Sequence, residues 1–280
     1  MTRRISLDPS MPVLLRPDGA VQVGWDPRRA VLVRPPRGLT AGGMAGVLRH
    51  MRSPVEVGDL TAEATRLGLT DAGELTALID ALESAGVASA DAPRRTGRAA
   101  AIRVHGRGPL TDVLVDALRG TGVRVSHSSQ PHAAVRAEKT DLVVLADYLV
   151  ADPRMVRDLH AAQVAHLAVR VRDGTGVVGP LVIPGVTSCL VCADLHRIDR
   201  DAAWPALAAQ LRDTVGMADH STVLATVALA MGQVQAVVAA VDGSATHAAA
   251  PSSLSATLEF DVRAGSIATR RWPRHPRCSC

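Results

Sequence analysis

Two patterned regions separated by a Pro/Arg/Gly-rich break predict an α/β protein of two domains. Before the break, short strands and three helical segments predict a small winged-helix domain over residues 1–92. After it, strand and helix signals alternate, which predicts a doubly wound α/β domain over residues 100–280. The break itself is APRRTGRAA, residues 92–100.

In the first region, MPVLLRPDGAVQVGWDPRRAVLV reads as two or three short strands, with Asp18-Gly19 and Asp26-Pro27 at the turns. LTAGGMAGVLRHM is a helix weakened by its glycines, and VEVGDLTAEATRLGL is a second, with Leu60, Ala64 and Leu67 on one face. The third has the strongest signals. Asp71 and Glu74 form a capping box, Leu75, Leu78, Ile79 and Leu82 keep helical spacing, and Gly86 ends the run.

In the second region AAIRVHG is a strand, PLTDVLVDALRGTG a helix ending at Gly120 or Gly122, and VRVSHS a strand. DLVVLAD is an unbroken apolar strand of the kind a parallel sheet buries on both faces. DPRMVRDLHAAQV then reads as a helix, AHLAVRVR as a strand, and ATLEFDVRAGSIATRRW as a hairpin turning at Ala264-Gly265. The most apolar run, residues 223–241, contains Gly232, Gln233 and Gln235 and reads as a buried helix rather than a membrane span.

Composition narrows the function classes. Hydrophobic residues make up 47% of the 280 and permit sizeable cores. The net charge is only +4, with arginines scattered among acids and Lys139 the one lysine, so no concentrated basic stripe marks a nucleic-acid protein. The third helix exposes Glu74, Thr76, Asp80 and Glu83, an acidic face that repels DNA. The first residues lack an apolar core with a cleavage site, so a cytoplasmic setting is expected, where cysteines bind metal more often than they form structural disulfides.

The chain has four cysteines, in two pairs: Cys189-x-x-Cys192 and Cys278-x-Cys280. A CxxC presents two thiolates to one tetrahedral ion, and four ligands complete a structural zinc site if the tail folds back on the first pair. Such a site leaves no open position for a substrate. The competing readings are a redox CxxC with an unrelated tail, and free core cysteines. His196 and His275 lie beside the pairs, and either could replace a thiolate. The charged run DLHRIDRDAAW, with Asp194, Arg197, Asp199, Arg200 and Asp201, reads as a salt-bridged surface, with Trp204 and Leu207 packing on the cysteine region. His105, His127 and His132 fall near the mouth of the sheet, without a paired carboxylate at recognisable spacing.

VVGPLVIPGVTSCLVCADLHRIDRDAAWPALAAQL, followed at a distance by WPRHPRCSC, resembles the C-terminal half of ThiF-like proteins. It is similar in particular to the cyclodehydratase "C" components of thiazole/oxazole-modified peptide (RiPP) biosynthesis and their actinobacterial relatives. The resemblance covers nearly the whole chain and is specific at residues 177–211 and 272–280. It implies a winged-helix RiPP recognition element joined to a ThiF-like domain with a four-cysteine zinc site, and a homodimer formed through the helix at 223–241.

ThiF-like enzymes are ATP-dependent adenylyltransferases. Their phosphate loop corresponds here to VHGRGPLTD, where Gly106 and Gly108 match, Pro109 removes an amide, and Thr111 or Asp112 replaces the third glycine. The ribose-binding acid is replaced by Ser126, His127 and Ser128, and Lys139 is misplaced for phosphate. Asp147 falls where the family has its magnesium-linked aspartate. Gly106, Gly108 and Asp147 are thus the nucleotide candidates, with ATP and magnesium not expected and no catalytic residue assigned. The resemblance implies a scaffold that binds the leader of a precursor peptide by β-augmentation, beside the third helix along residues 21–33, and presents it to a separate modifying enzyme such as a YcaO-type cyclodehydratase. The alternatives are an active adenylyltransferase and a protein serving assembly only.

Overall fold

The computed structural model describes residues 3–91, 98–130, 135, 137–243 and 250–280. The chain divides into two compact units, Met1–Arg94 and Arg95–Cys280. Most of the expected linker, residues 92–97, lies outside the described residues, as does His132.

The first unit contains β1 (Arg4–Leu7), β2 (Val13–Leu15), β3 (Val21–Val23), β4 (Val31–Val33), α1 (Ala41–His50), β5 (Val55–Glu56), α2 (Val57–Arg66), α3 (Ala72–Ser84) and β6 (Ala88–Asp91). β2, β3 and β4 form an antiparallel meander, its turns fixed by Gly19 at φ +79° and by Asp26, whose carboxylate accepts the Arg28 amide at 3.0 Å. A second three-stranded sheet, ordered β5-β1-β6, is not signalled by the sequence pattern. Its strands are two to four residues long, too short for alternation to register. Ile5, Val21, Val23, Met44, Leu48, Leu60, Leu75, Ile79 and Leu82 close one core between sheets and helices.

The caps of α3 follow the sequence in part. Asp71 accepts the Gly73 amide, but Glu74 does not reach back to complete the expected box. Its carboxylate instead accepts the Arg37 amide at 2.9 Å, a tertiary contact that competes with the local one. At the other end Gly86 (φ +70°) donates to Glu83 O and Val87 to Leu82 O, the paired bonds of a glycine-terminated helix. In α2, Leu60 and Ala64 are buried as expected, whereas Leu67, the C-cap, turns outward. The segment 21–33 is not one strand. β3 is the central strand of its sheet, and of the two strands in this segment β4 is the one at an edge among the described residues.

The second unit contains β7 (Ala101–His105), α4 (Pro109–Arg119), β8 (Arg124–Ser128), β9 (Leu142–Ala146), α5 (Pro153–Ala161), β10 (Ala165–Arg172), β11 (Thr175–Val182), α6 (Leu190–Ile198), α7 (Trp204–Leu211), α8 (His220–Asp242), β12 (Ala256–Asp261) and β13 (Ser266–Arg271). The sheet order is β13-β12-β11-β10-β9-β7-β8. β8, β7, β9 and β10 are parallel, as the strand–helix alternation predicts, but β11, β12 and β13 continue antiparallel, so the sheet is mixed rather than wholly parallel. The reversal occurs at Asp173-Gly174, both at positive φ (+50° and +76°), a two-residue hairpin turn that forces the chain back on itself.

Helices cover both faces of this sheet. α4 and α8 enclose Ile102, Val104, Leu114, Val144, Val169, Val223, Val227 and Val234 on one face. On the other, Val143, Leu145 and Ala168 pack with Met155 and Leu159 of α5 and with Cys189 and Cys192. α8 is long and apolar enough to cross a membrane by length and composition. It buries the stripe Val223, Val227, Ala230 and Val234 against the sheet and exposes its opposite side at Leu224, so it is half-buried rather than a fully buried core helix.

Candidate functional site

Two places gather the chemistry-bearing side chains of the second unit. The first is built from the N-terminus of α6 and the end of the chain. Cys189 stands at the N-cap position of α6 and Cys192 lies in its first turn, so both thiols face the same way. The segment after β13 returns to them through a series of bonds. Trp272, 3% exposed, donates its indole N–H to Thr257 Oγ1 at 3.1 Å and its backbone N–H to Ser255 O at 2.8 Å. Arg274 donates to Gly185 O, and the Cys278 amide to His275 O at 2.9 Å.

The result brings all four cysteines together, with Sγ atoms within 4.8 Å of one another. The separations are 3.8 Å for Cys189–Cys192, 3.6 Å for Cys189–Cys278 and 3.4 Å for Cys192–Cys280. A regular tetrahedron of sulfurs at ~2.3 Å from a central ion has edges of ~3.8 Å. The four thiols therefore fit one metal ion, and all four are free of disulfides. Burial pushes the Cys189 and Cys280 thiols up. At Cys192 burial acts the same way but is outweighed, first by the backbone N–H that His275 donates to its sulfur, and the thiol falls to about 7. A cation entering this group would displace protons.

Neither neighbouring histidine takes a ligand position. His275 accepts the Arg277 amide on Nδ1 (3.1 Å) and donates from Nε2 to Asp199 Oδ2 (2.7 Å). His196 donates from Nε2 to Pro273 O at 3.0 Å. Both instead brace the segment that carries Cys278 and Cys280. Asp199 also pairs with Arg277, so one acid of the charged run supports the thiol cluster rather than solvent alone. Asp194 binds Arg197 (2.7 Å) and the Trp204 indole (3.1 Å), while Leu207 is exposed rather than packed on this region.

The second place is the turn between β7 and α4, where Gly106, Gly108 and Asp147 meet. Asp147 is fully buried at the end of β9, with φ +71°. Its carboxylate accepts the Leu110 and Thr111 amides, each at 3.0 Å, and the Thr111 hydroxyl at 2.5 Å. It thus caps α4, at the N–H groups that a helix N-terminus offers to phosphate. The glycines serve this contact. A Cβ on Gly108 would lie 2.8 Å from Asp147 Oδ1, and one on Gly106 would lie 2.4 Å from Ala146 O. Nearby, Arg103 Nε donates to Ser128 Oγ (2.8 Å), which also meets His105 Nδ1 (3.0 Å). His127 donates to Gly106 O at 3.0 Å. His105 is depressed to about 4, chiefly by burial and then by Arg103. The two described histidines of the expected mouth are therefore engaged with the protein itself.

No protein-family model matches the chain, and no curated protein matches it. Solved structures do share its fold. The heterocyclase TruD superposes with a TM-score of 0.69 at 16% identity, over 99% of this chain and 42% of its own. A heterocyclase in complex with substrate and cofactor gives 0.68 at 15% identity, over 99% and 39%. MccB of E. coli with ATP gives 0.62 at 11% identity, over 99% of both chains. The chain thus spans about two fifths of the heterocyclases and nearly all of MccB. At these identities the likeness is one of fold.

Proposed function

We propose that this chain is a non-catalytic partner in ribosomal-peptide modification. Its first unit is a winged-helix clamp of the RiPP-recognition type that holds the leader of a precursor peptide. The second unit, pinned by zinc at Cys189, Cys192, Cys278 and Cys280, presents the peptide to a separate enzyme of the YcaO cyclodehydratase type. The observation that carries the non-catalytic reading is the Asp147 carboxylate on the α4 amides. An internal anion fills the place a nucleotide phosphate would need. The fold shared with heterocyclases over 99% of this chain supports the pathway.

β4 supplies the edge for an added peptide strand, because it pairs only with β3 among the described residues. The Arg37–Glu74 bond draws the segment after β4 to the start of α3, so edge and helix lie together. On α3, Asp80 and Glu83 pair with Arg3, a neutralised acidic face unsuited to DNA. Zinc is the ion four thiolates suit best, and a reducing cytoplasm would keep those thiols free. The outward side of α8 at Leu224 suits a homodimer contact.

A second reading, an active adenylyltransferase, draws on the MccB likeness and on the convergence of Gly106, Gly108 and Asp147. Two titrations separate the readings. Fluorescence anisotropy of a labelled short peptide from a neighbouring reading frame, if the gene neighbourhood encodes one, should give a Kd of about 1–100 μM with the full chain. Calorimetry with Mg-ATP should give no heat up to about 5 mM. Saturable Mg-ATP binding would move the assignment to the enzyme, and absence of peptide binding would leave assembly alone.

A further inference from the structure

β10 alternates its side chains between the two faces of the sheet. Val169 and Val171 enter the core beneath α4 and α8, while Ala168 and Arg170 point to the opposite face. Arg170 is more than nine-tenths buried, with 8% of its surface exposed. Among the described residues it makes no hydrogen bond or ion pair. Asp194 and Glu259 attract it through space, but each is held by another arginine: Asp194 by Arg197 at 2.7 Å and Glu259 by Arg172 at 3.1 Å. Those two arginines repel it. Burial lowers its pKa to about 10, which still leaves it charged at neutral pH.

A buried charge without a partner is strongly unfavourable, so such groups are paired or bind something. Arg170 faces a cavity of about 430 Å³ framed by β10, α5, α6 and α7, within the size range of small-molecule sites. The wall is largely apolar, with Leu149, Pro153, Val156, Leu190 and Trp204 among its residues. Arg157, Arg172, Arg197, Asp173 and Asp194 also line it; with Arg197 held by Asp194 and Arg172 by Glu259, Arg157 and Asp173 remain beside Arg170, one net positive charge. The nearby start of α5 has little to give a phosphate, because Pro153 lacks an amide N–H and the Arg154 amide is taken by Asp152 at 2.8 Å.

We propose that this cavity binds an organic monocarboxylate, whose carboxylate pairs with Arg170 and whose hydrocarbon body lies against the apolar wall. A guanidinium fork matches a carboxylate in two parallel hydrogen bonds. The site is independent of the leader-binding reading: it needs no nucleotide, no partner enzyme and no peptide on the first unit. The same chemistry has two sources, a free acid or the C-terminus of an apolar peptide.

The test is an NMR titration of the full chain. The probes are hexanoate, phenylacetate and 4-phenylbutyrate, the corresponding primary amides, a short apolar peptide with free or amidated C-terminus, and inorganic phosphate. At least one carboxylate should saturate at about 1 mM or below, shifting amides around residues 168–172, while the neutral amides and phosphate do not. Saturation by the free acids alone identifies a small-molecule site, and by the free-ended peptide alone a peptide-tail site. Arg170→Met should weaken binding about 10- to 100-fold. The unliganded variant should melt no lower than the wild type, because an apolar side chain replaces an unpaired charge. Arg170→Lys, which keeps charge and fold, should bind several-fold more weakly. The proposal fails if no carboxylate saturates by about 10 mM, if Arg170→Met binds as well as the wild type, or if phosphate competes. A much lower melting point for Arg170→Met also overturns it, since the guanidinium would then be a structural strut.

Discussion

Asp147→Ala removes a carboxylate that three donors share: the Leu110 and Thr111 amides and the Thr111 hydroxyl. The site is dry, with Asp147 fully buried and Thr111 only 1% exposed, so water does not readily replace the lost acceptor. Each stranded donor costs about 1–1.5 kcal/mol, and loss of a negative charge at the start of a helix adds about 0.5–1 kcal/mol. The sum is about 4–5 kcal/mol, or on the order of 10 °C in melting temperature for a unit of this size. Asp147→Asn keeps the shape, tolerates positive φ and retains one acceptor oxygen, so it should cost about half as much. Urea unfolding followed by circular dichroism measures both. Hydrogen exchange at the Leu110 and Thr111 amides tests the location, with protection lost in the alanine variant. An alanine variant within about 1 kcal/mol of the wild type, or one no worse than the asparagine variant, would refute the capping argument.

Two further expectations concern the same unit. The double substitution Cys278→Ser/Cys280→Ser should lose about one equivalent of bound metal on elemental analysis, and unchanged content would sink the four-thiolate site. His166 is fully buried, its Nε2 has no partner among the described residues, and burial holds its pKa at about 4 against 6.5 unperturbed. The unfolded chain therefore takes up a proton that the fold refuses, so stability is complete above pH 6.5 and falls towards pH 4. The effect is on the order of 3 kcal/mol. Replacing His166 by leucine should flatten the stability-versus-pH profile in that window, and an unaltered slope would rule the histidine out.

What could be read in the sequence was local or chemically distinctive. Gly86 and Asp71 mark the ends of α3 because their signals act within one turn, and β9 is recognisable because five apolar residues in a row need both faces covered. The two cysteine pairs announce one another, although 88 and 89 residues separate the thiols that meet. What escaped depends on distant partners. Glu74 looks like half of a capping box until Arg37 claims it. The sheet β5-β1-β6 joins segments far apart in sequence, each too short to show a period. Asp173-Gly174 did carry a readable turn signal, and it would have predicted the change from a parallel to a mixed sheet. Asp147 stands at a position that resembles a metal-linked aspartate, but only its contacts reveal a helix cap. Arg170 gives no signal at all, since an arginine in a strand is ordinarily assumed to reach solvent.

The thiol cluster lies just beyond the strand that forms the border of the sheet. β13 is exposed along its length and carries Arg270 and Arg271, charges that discourage pairing with another molecule. Its anchor is the segment that ends in Cys278 and Cys280. If those thiols let go of Cys189 and Cys192, the last hairpin keeps the β11–β12 ladder, which pairs three residues, the Trp272 bonds, the Arg172–Glu259 pair and the contacts of His196 and Asp199 with the tail. Peeling it back would expose β11, a strand with seven of its eight residues buried, as a bare apolar margin. Disruption of the thiol cluster would then favour self-association in addition to a loosened tail, because the interior strands of this sheet cannot safely face another chain.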